Sequence, residues 1–305
     1  MKINILGAGA MGLLYASYLV KNNEVTLIEH RKETVNYISK NGVNVTTDNV
    51  KRNYHISIVE SGSNLPPCDL FIVFVKNIST YEALKDNLLS INKDTCILTL
   101  QNGYGSVDII SKFVSKNQIY VGTSKHNSLN LGNGNIIHTA KGITNIGTYD
   151  GDKNKLEEIV LNFNEAGLEA KAVENVNYVI FEKLILNAST NALSALYNTT
   201  FKSLLDDKNA FEIVKNIISE GIEVIKNVGV NLNLNEEIAI LQKVFGNSND
   251  GKSSMCQDIN AKRMTEIDFI NGAISSLGDK YNIDTPYNDL MVKMIHFKEN
   301  LNKNS

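Results

Sequence analysis

The sequence lacks paired cysteines: its three, Cys68, Cys96 and Cys256, are odd in number, widely separated and free of CxxC spacing. That excludes a disulfide framework and a cysteine-rich zinc site, and it fits a reducing cytoplasm. Blocks of lysine or arginine are also missing, and with a net charge of -3 and a pI near 6.0 the chain carries no electrostatic footprint for nucleic acid. No apolar run approaches the roughly 18 residues that span a bilayer, so no membrane segment is expected. The N-terminus enters an apolar strand without a basic n-region or an unbroken apolar h-region, so no secretory signal is expected. Internal repeats and low-complexity blocks are absent, apart from a polar tail from about Lys298 to Ser305. His126 and His138 stand in separate segments without ligand spacing, which points to packing or surface roles and to no metal.

What is present is an ordinary globular composition, 43% hydrophobic and 21% charged, in 305 residues. A single hydrophobic core stops growing below that length, so two domains are expected. Lys2 to Leu6 reads as a buried strand, Gly7-Ala8-Gly9-Ala10-Met11-Gly12 follows, an apolar helix runs from about Met11 to Val20, and Val25 to Ile28 is a second strand. This is the βαβ setting of a dinucleotide fingerprint. The first glycine makes the tight turn, the second lets a pyrophosphate approach the backbone, and the third lets helix pack on strand. Leu70 to Val75 and Thr95 to Leu100 are continuous apolar runs of the buried parallel kind, ending in Lys76 and in Gln101-Asn102-Gly103. Both put a polar residue at the carboxyl end of a central strand, where open α/β sheets bind ligands. Lys76 and Asn102 are therefore candidate cofactor contacts, against the plainer readings of a solvated strand end and a turn asparagine. Glu29 ends the second strand, where an acid takes the ribose hydroxyls of NAD, yet His30, Arg31 and Lys32 follow and could clasp a 2′-phosphate.

From about Asn175 the pattern turns helical. The expected fold is α/β, with a Rossmann-type doubly wound sheet over residues 1–173 followed by an all-α substrate and catalytic domain over 174–305. The apolar helix from Tyr178 to Tyr197 places Lys183, Asn187 and Asn191 at i, i+4 and i+8 on one stripe. An ammonium in a low-dielectric setting persists only when paired or able to release its proton, so Lys183 is a candidate catalytic acid. The competing reading is a lysine that snorkels from the edge of a core helix, in a chain rich in asparagine throughout. Further helices are expected at Ala210 to Val228, Glu236 to Phe245, Ser254 to Leu277 as one piece, and Tyr287 to about Lys298, with a polar loop over residues 246–252. Ser254, near a helix start, is as readily a cap as a ligand contact.

Taken in order, these motifs resemble those of the 2-dehydropantoate 2-reductase (ketopantoate reductase) family over nearly the whole chain. The resemblance is carried by the glycine fingerprint, Lys76, Gln101-Asn102-Gly103-Tyr104-Gly105, Gly134 to His138 with Gly142 to Gly147, Glu182-Lys183-Leu184 with Asn187 and Asn191, and Ser253-Ser254-Met255 through Glu266 to Gly272. It implies an NAD(P)H-dependent oxidoreductase that reduces ketopantoate to pantoate, on the route to pantothenate. By the same resemblance Lys183 protonates the keto oxygen, with Glu266 as its partner acid beside the cofactor. Asn187 and Asn191 hold the substrate's far hydroxyl, Ser254 its carboxylate, and Asn102 touches both ligands. Gly7 to Gly12 and Lys76 contact the dinucleotide by that resemblance, while Glu29, where the family more usually has an aliphatic residue before an arginine, and Arg31 are candidate contacts from their place at the end of the second strand. NADPH is the implied cofactor, and Glu29 leaves NADH open. Two departures bear on substrate: Gly251 stands where the family commonly has asparagine, and Thr200-Phe201 where it often has Asn-Gly. Two alternatives follow: a D-2-hydroxy-acid dehydrogenase of the same family acting on branched 2-oxo acids, and a dinucleotide sensor without chemistry. A homodimer could form through apolar helices such as Ala210 to Val228.

Overall fold

The computed structural model describes residues 1–246 and 251–303, so most of the polar loop expected over 246–252, and the end of the tail, lie outside the described residues. The chain divides into two compact units, Met1–Gln101 with Ser106–Val176, and Asn102–Gly105 with the chain from Asn177 onward. The first comprises β1 (Lys2–Leu6), α1 (Ala10–Leu19), β2 (Glu24–Glu29), α2 (Lys32–Asn41), β3 (Val43–Thr47), β4 (Val50–Tyr54), β5 (Ser57–Glu60), β6 (Leu70–Val73), α3 (Thr80–Asp86), β7 (Cys96–Thr99), α4 (Ser106–Ile110), β8 (Ile119–Ser124), β9 (Asn127–Gly132), β10 (Asn135–Ala140), β11 (Thr144–Thr148), α5 (Lys153–Ala166) and β12 (Ala170–Ala172).

Its main sheet has the order β12-β11-β8-β7-β6-β1-β2-β5, with only the β8–β11 pair antiparallel. Strands β6 and β7 are buried along their whole length, as parallel strands covered on both faces must be, which is why they read as unbroken apolar runs. The chain winds outward from β1 through β2 to β5, then restarts at β6 on the other side of β1. That switch point opens a crevice at the carboxyl ends of β1 and β6, and the glycine turn and Lys76 follow those two strands.

A second sheet, β4-β3-β10-β9, has no counterpart in the sequence expectation. Its strands are largely polar, with Val43, Val45, Ile136 and His138 buried. Its hairpins turn at Asp48-Asn49 (φ 52° and 62°) and Asn133-Gly134 (φ 49° and 66°), both pairs in the left-handed region that tight hairpins require.

The second unit is all-helical: α6 (Val176–Tyr197), α7 (Phe201–Asp206), α8 (Lys208–Lys226), α9 (Leu234–Phe245), α10 (Ser254–Asn260), α11 (Asn271–Tyr281) and α12 (Pro286–Lys303). The single helix expected from Ser254 to Leu277 is in fact two. Its first part ends where Lys262 adopts φ 52° and the Arg263 amide turns back to the Asp258 carbonyl, and a 3-10 turn at Ile267–Phe269 precedes α11. Glu266 consequently sits on an irregular connection rather than inside a helix. The apolar face of α8, including Val214, Ile217, Ile218 and Ile225, is consumed by the core of its own unit.

Candidate active site

In the first unit, two fingerprint glycines are dictated by packing. A Cβ on Gly7 would stand 3.0 Å from the Val75 amide nitrogen, and one on Gly12 would stand 1.9 Å from the Gly7 carbonyl oxygen. Gly9 differs, because a Cβ there would meet nothing within 4 Å. The fold does not need its bareness. A ligand approaching the start of α1 does, and that helix end carries no side-chain cap and no acid in its own first turn, so its free amides favour an anion. The turn therefore fits the pyrophosphate of a dinucleotide.

Glu29 ends β2 with only 3% of its surface exposed. Its Oε2 accepts from the Ala8 amide at 3.1 Å and from Arg31 Nη2 at 2.9 Å, and its Oε1 accepts from Arg31 Nε at 2.9 Å and the Arg31 amide at 3.0 Å. His30 Nδ1 lies 2.9 Å from the same Oε1. Burial pushes this carboxyl up, but the Arg31 donors outweigh it and hold it below the usual range; the same pair raises the guanidinium. Arg31 is thus fixed by one edge while half of its side chain stays exposed. Lys76, partly exposed after β6, begins a 3-10 turn at Asn77–Ser79. The strand end that carries it is held by Gln101, whose Nε2 donates to the Val75 carbonyl at 2.6 Å and to Thr80 Oγ1 at 2.8 Å.

In the second unit, α6 carries Lys183 and Asn187 partly exposed and Asn191 buried, while Leu184, Ile185 and Ala188 face the core. Three anchors bring the segments that carry the other candidates alongside it. Near its start, the Tyr104 ring packs on Phe181 at 4.8 Å, which fixes the segment containing Asn102. At its middle, Asn271 Nδ2 donates to the Ala188 carbonyl at 3.1 Å, which fixes the start of α11 just after Glu266. Toward its end, Ser253 Oγ donates to the Asn191 carbonyl at 3.1 Å and accepts from the Cys256 amide. Ser253 is therefore the structural cap, and the neighbouring Ser254 is left exposed. The Asn102 and Glu266 segments also meet: the Tyr104 amide donates to the Phe269 carbonyl at 2.9 Å, and a Cβ on Gly103 would stand 2.3 Å from that oxygen.

Two groupings escape a linear reading. His126 Nδ1 and His138 Nε2 lie 3.1 Å apart, both rings buried, with Tyr18 Oη 3.4 Å from His138 Nδ1. Burial, followed by the charge on His138, pushes His126 down to about 4. Among the described residues no group of three or more metal-ligating side chains forms. Asn198, in the left-handed region at φ 50°, presents Oδ1 to Lys252 Nζ at 3.0 Å and to Asn260 Nδ2 at 2.9 Å. The two departures from the family pattern, Thr200-Phe201 and Gly251, meet directly beside it, the Phe201 amide donating to the Gly251 carbonyl at 2.9 Å.

A glycine turn at the switch point of a parallel sheet, and a lysine and amide stripe on a core helix, define a dinucleotide-dependent enzyme fold. Residues 3–151 match the family described as ketopantoate reductase PanE/ApbA, and residues 175–299 match its C-terminal domain. The 2-dehydropantoate 2-reductase of Lactococcus lactis subsp. lactis is 34% identical, covering 99% of this chain and 99% of that protein. Its counterpart in Streptococcus pyogenes serotype M3 is 32% identical, covering 98% of each. Among solved structures, a ternary complex of D-mandelate dehydrogenase with NADH and anilino(oxo)acetate is 33% identical, with a TM-score of 0.95 over 99% of this chain and 100% of that one. The chain belongs to the ketopantoate reductase family.

Proposed function

We propose that this protein is a 2-dehydropantoate 2-reductase, reducing the keto group of ketopantoate to the hydroxyl of pantoate. The observation that supports the reading is the α6 stripe with its three anchors, which tie to that helix the segments that carry Asn102, Glu266 and Ser254. When bound, a reduced nicotinamide dinucleotide supplies the hydride to C2. Lys183 stabilises the charge that builds on the carbonyl oxygen and delivers a proton to it, with Glu266 as partner acid. Asn187 and Asn191 pair the far hydroxyl, Ser254 the carboxylate. Gly7, Ala8, Gly9, Ala10, Met11 and Gly12 hold the pyrophosphate, with Lys76, Asn102 and Glu266 as further contacts.

For the cofactor, Arg31 supplies a guanidinium edge to a 2′-phosphate, as NADPH needs, but Glu29 neutralises much of that charge. The pair supports use of both dinucleotides, with NADH tolerated better than an unpaired arginine would allow. A second reading, a D-2-hydroxy-acid dehydrogenase, is favoured by the match to D-mandelate dehydrogenase and by the engagement of Lys252 with Asn198. Spectrophotometric assays of ketopantoate, 2-oxoisocaproate and phenylglyoxylate with NADPH and NADH separate the two. Higher kcat/KM for either of the latter acids overturns the pantoate assignment.

No described helix is long and apolar enough to cross a membrane; we assign the protein to the cytoplasm from its unpaired cysteines. For a homodimer, α12 offers what α8 does not. Tyr287, Leu290, Met294, Phe297 and Leu301 form an exposed stripe at alternating spacings of three and four, the pattern by which helices pair. Sedimentation of the wild type and of Phe297→Glu tests this.

A further inference from the structure

We propose that His296 and Glu299, on α12, are positioning residues that set the placement of Glu266; the proposal rests on the reading of Glu266 as part of the reacting site. The connection from Thr265 to Phe269 is gripped on both sides of Glu266. Before it, the Thr265 amide donates to Glu299 Oε1 at 2.7 Å. After it, Asp268 Oδ1 lies 2.8 Å from His296 Nε2, and the opposite ring nitrogen, Nδ1, lies 3.1 Å from Glu299 Oε2. One imidazole therefore bridges two carboxylates, and one of those carboxylates holds the backbone next to Glu266.

The grip matters because this backbone cannot set its own geometry. Glu266 has φ -103° and ψ 27°, and Ile270 has φ -110° and ψ -90°, both outside regular helix, so external partners must fix where the side chain at 266 starts. A carboxylate only 4% exposed is costly unless paired and hydrogen-bonded, and Glu299 has both. The imidazole suits the role in its charged form, when both ring nitrogens donate. Burial pulls His296 down, but hydrogen bonds to Glu299 and Asp268 prevail and raise it. The same connection reaches a second candidate, since the Phe269 carbonyl holds the Tyr104 amide and Gly103 has no room for a side chain. Displacement of the turn would therefore move the start of Glu266 and the segment carrying Asn102 together.

The test is a double-mutant cycle of His296→Ala and Glu266→Gln, read as kcat and KM with ketopantoate and as Kd for the dinucleotide, joined to amide exchange at Thr265 in the ligand-free protein. His296→Ala is expected to lower kcat roughly 10- to 100-fold, the penalty for misplacing a reacting group by about an ångström. Dinucleotide affinity should change far less. In the Glu266→Gln background the same change should cost nothing further. Protection of the Thr265 amide should be lost in Glu299→Ala and kept in Glu299→Gln, which retains an acceptor at that place. If Glu299→Ala does not fold, His296→Ala and Glu299→Gln decide. An equal loss in both backgrounds, or wild-type kcat in His296→Ala while Glu266→Gln is impaired, overturns the positioning role. Wild-type turnover by Glu266→Gln alone overturns instead the reading of Glu266, and with it the clamp's target.

Discussion

The backbone amide of Ala8 donates to Oε2 of Glu29 across 3.1 Å, so the carboxylate that ends β2 is spent inside the glycine turn as well as on Arg31. A carboxylate turned outward would meet a ribose diol and repel a 2′-phosphate. This one instead fixes the turn and takes one edge of the guanidinium. Its charge still acts through Arg31, reducing what that residue can offer an anion.

Glu29→Gln should therefore shift the ratio of kcat/KM for NADPH over NADH toward NADPH by about tenfold, equivalent to about 1.4 kcal/mol. Both dinucleotides should bind less well, because the turn loses a charge-assisted acceptor. Arg31→Ala should move the ratio the other way. Initial rates with each dinucleotide check both, and a ratio unmoved by either variant shows that the pair has no part in the choice.

Lys183→Ala should lower kcat by about 10² to 10⁴, the range for loss of a positioned acid, while leaving dinucleotide affinity nearly intact. Fluorescence titration of NADH against the variant measures the second half of that statement. Dinucleotide binding without turnover confines the defect to the chemical step; undiminished turnover removes Lys183 from it.

The features legible in the sequence are those written in local periodicity. The apolar run around Lys183 gives α6 and its stripe because a helix aligns every fourth residue, and the glycine fingerprint is local by nature. The break after α10 is not legible: the left-handed residue that makes it is Lys262, with no glycine or proline to mark it. The hairpin at Asn133-Gly134 carried a turn signal, but its strands are too polar to show a two-residue period. His126 and His138 meet because β9 runs back along β10, pairing Ser128 with His138. The clamp on Glu266 joins α12 to a loop before α11, a contact that only the packed helices reveal.

Asn191, buried on α6, should discriminate substrates by the far hydroxyl. Asn191→Leu should reduce kcat/KM for ketopantoate by roughly tenfold to a hundredfold, the range for a lost hydrogen bond and an unsatisfied partner, while scarcely affecting 2-oxoisovalerate, which lacks that hydroxyl. Parallel assays of the two acids give the result directly. Equal losses with both would mean that Asn191 serves the helix and not the substrate.

The buried histidine pair should make the protein acid-sensitive in a particular window. His126 is pushed down from 6.5 to about 4 by burial and then by His138, which burial likewise lowers. Between those two values the unfolded chain binds protons that the folded chain refuses, so stability rises with pH there; the contribution is complete above about 6.5 and is lost as pH falls toward 4. Other shifted groups act elsewhere. Glu29 and Glu299 are held below the usual 4.5, so their contributions persist above that value and fade beneath it. His296 is raised, so its contribution is complete below 6.5 and is lost only as pH climbs through its higher folded value. Urea midpoints measured from pH 7 down to pH 4 should therefore fall for the wild type and fall less for His126→Gln, which carries no titrating ring at that place. The same slope in both proteins would assign the acid sensitivity to groups other than His126.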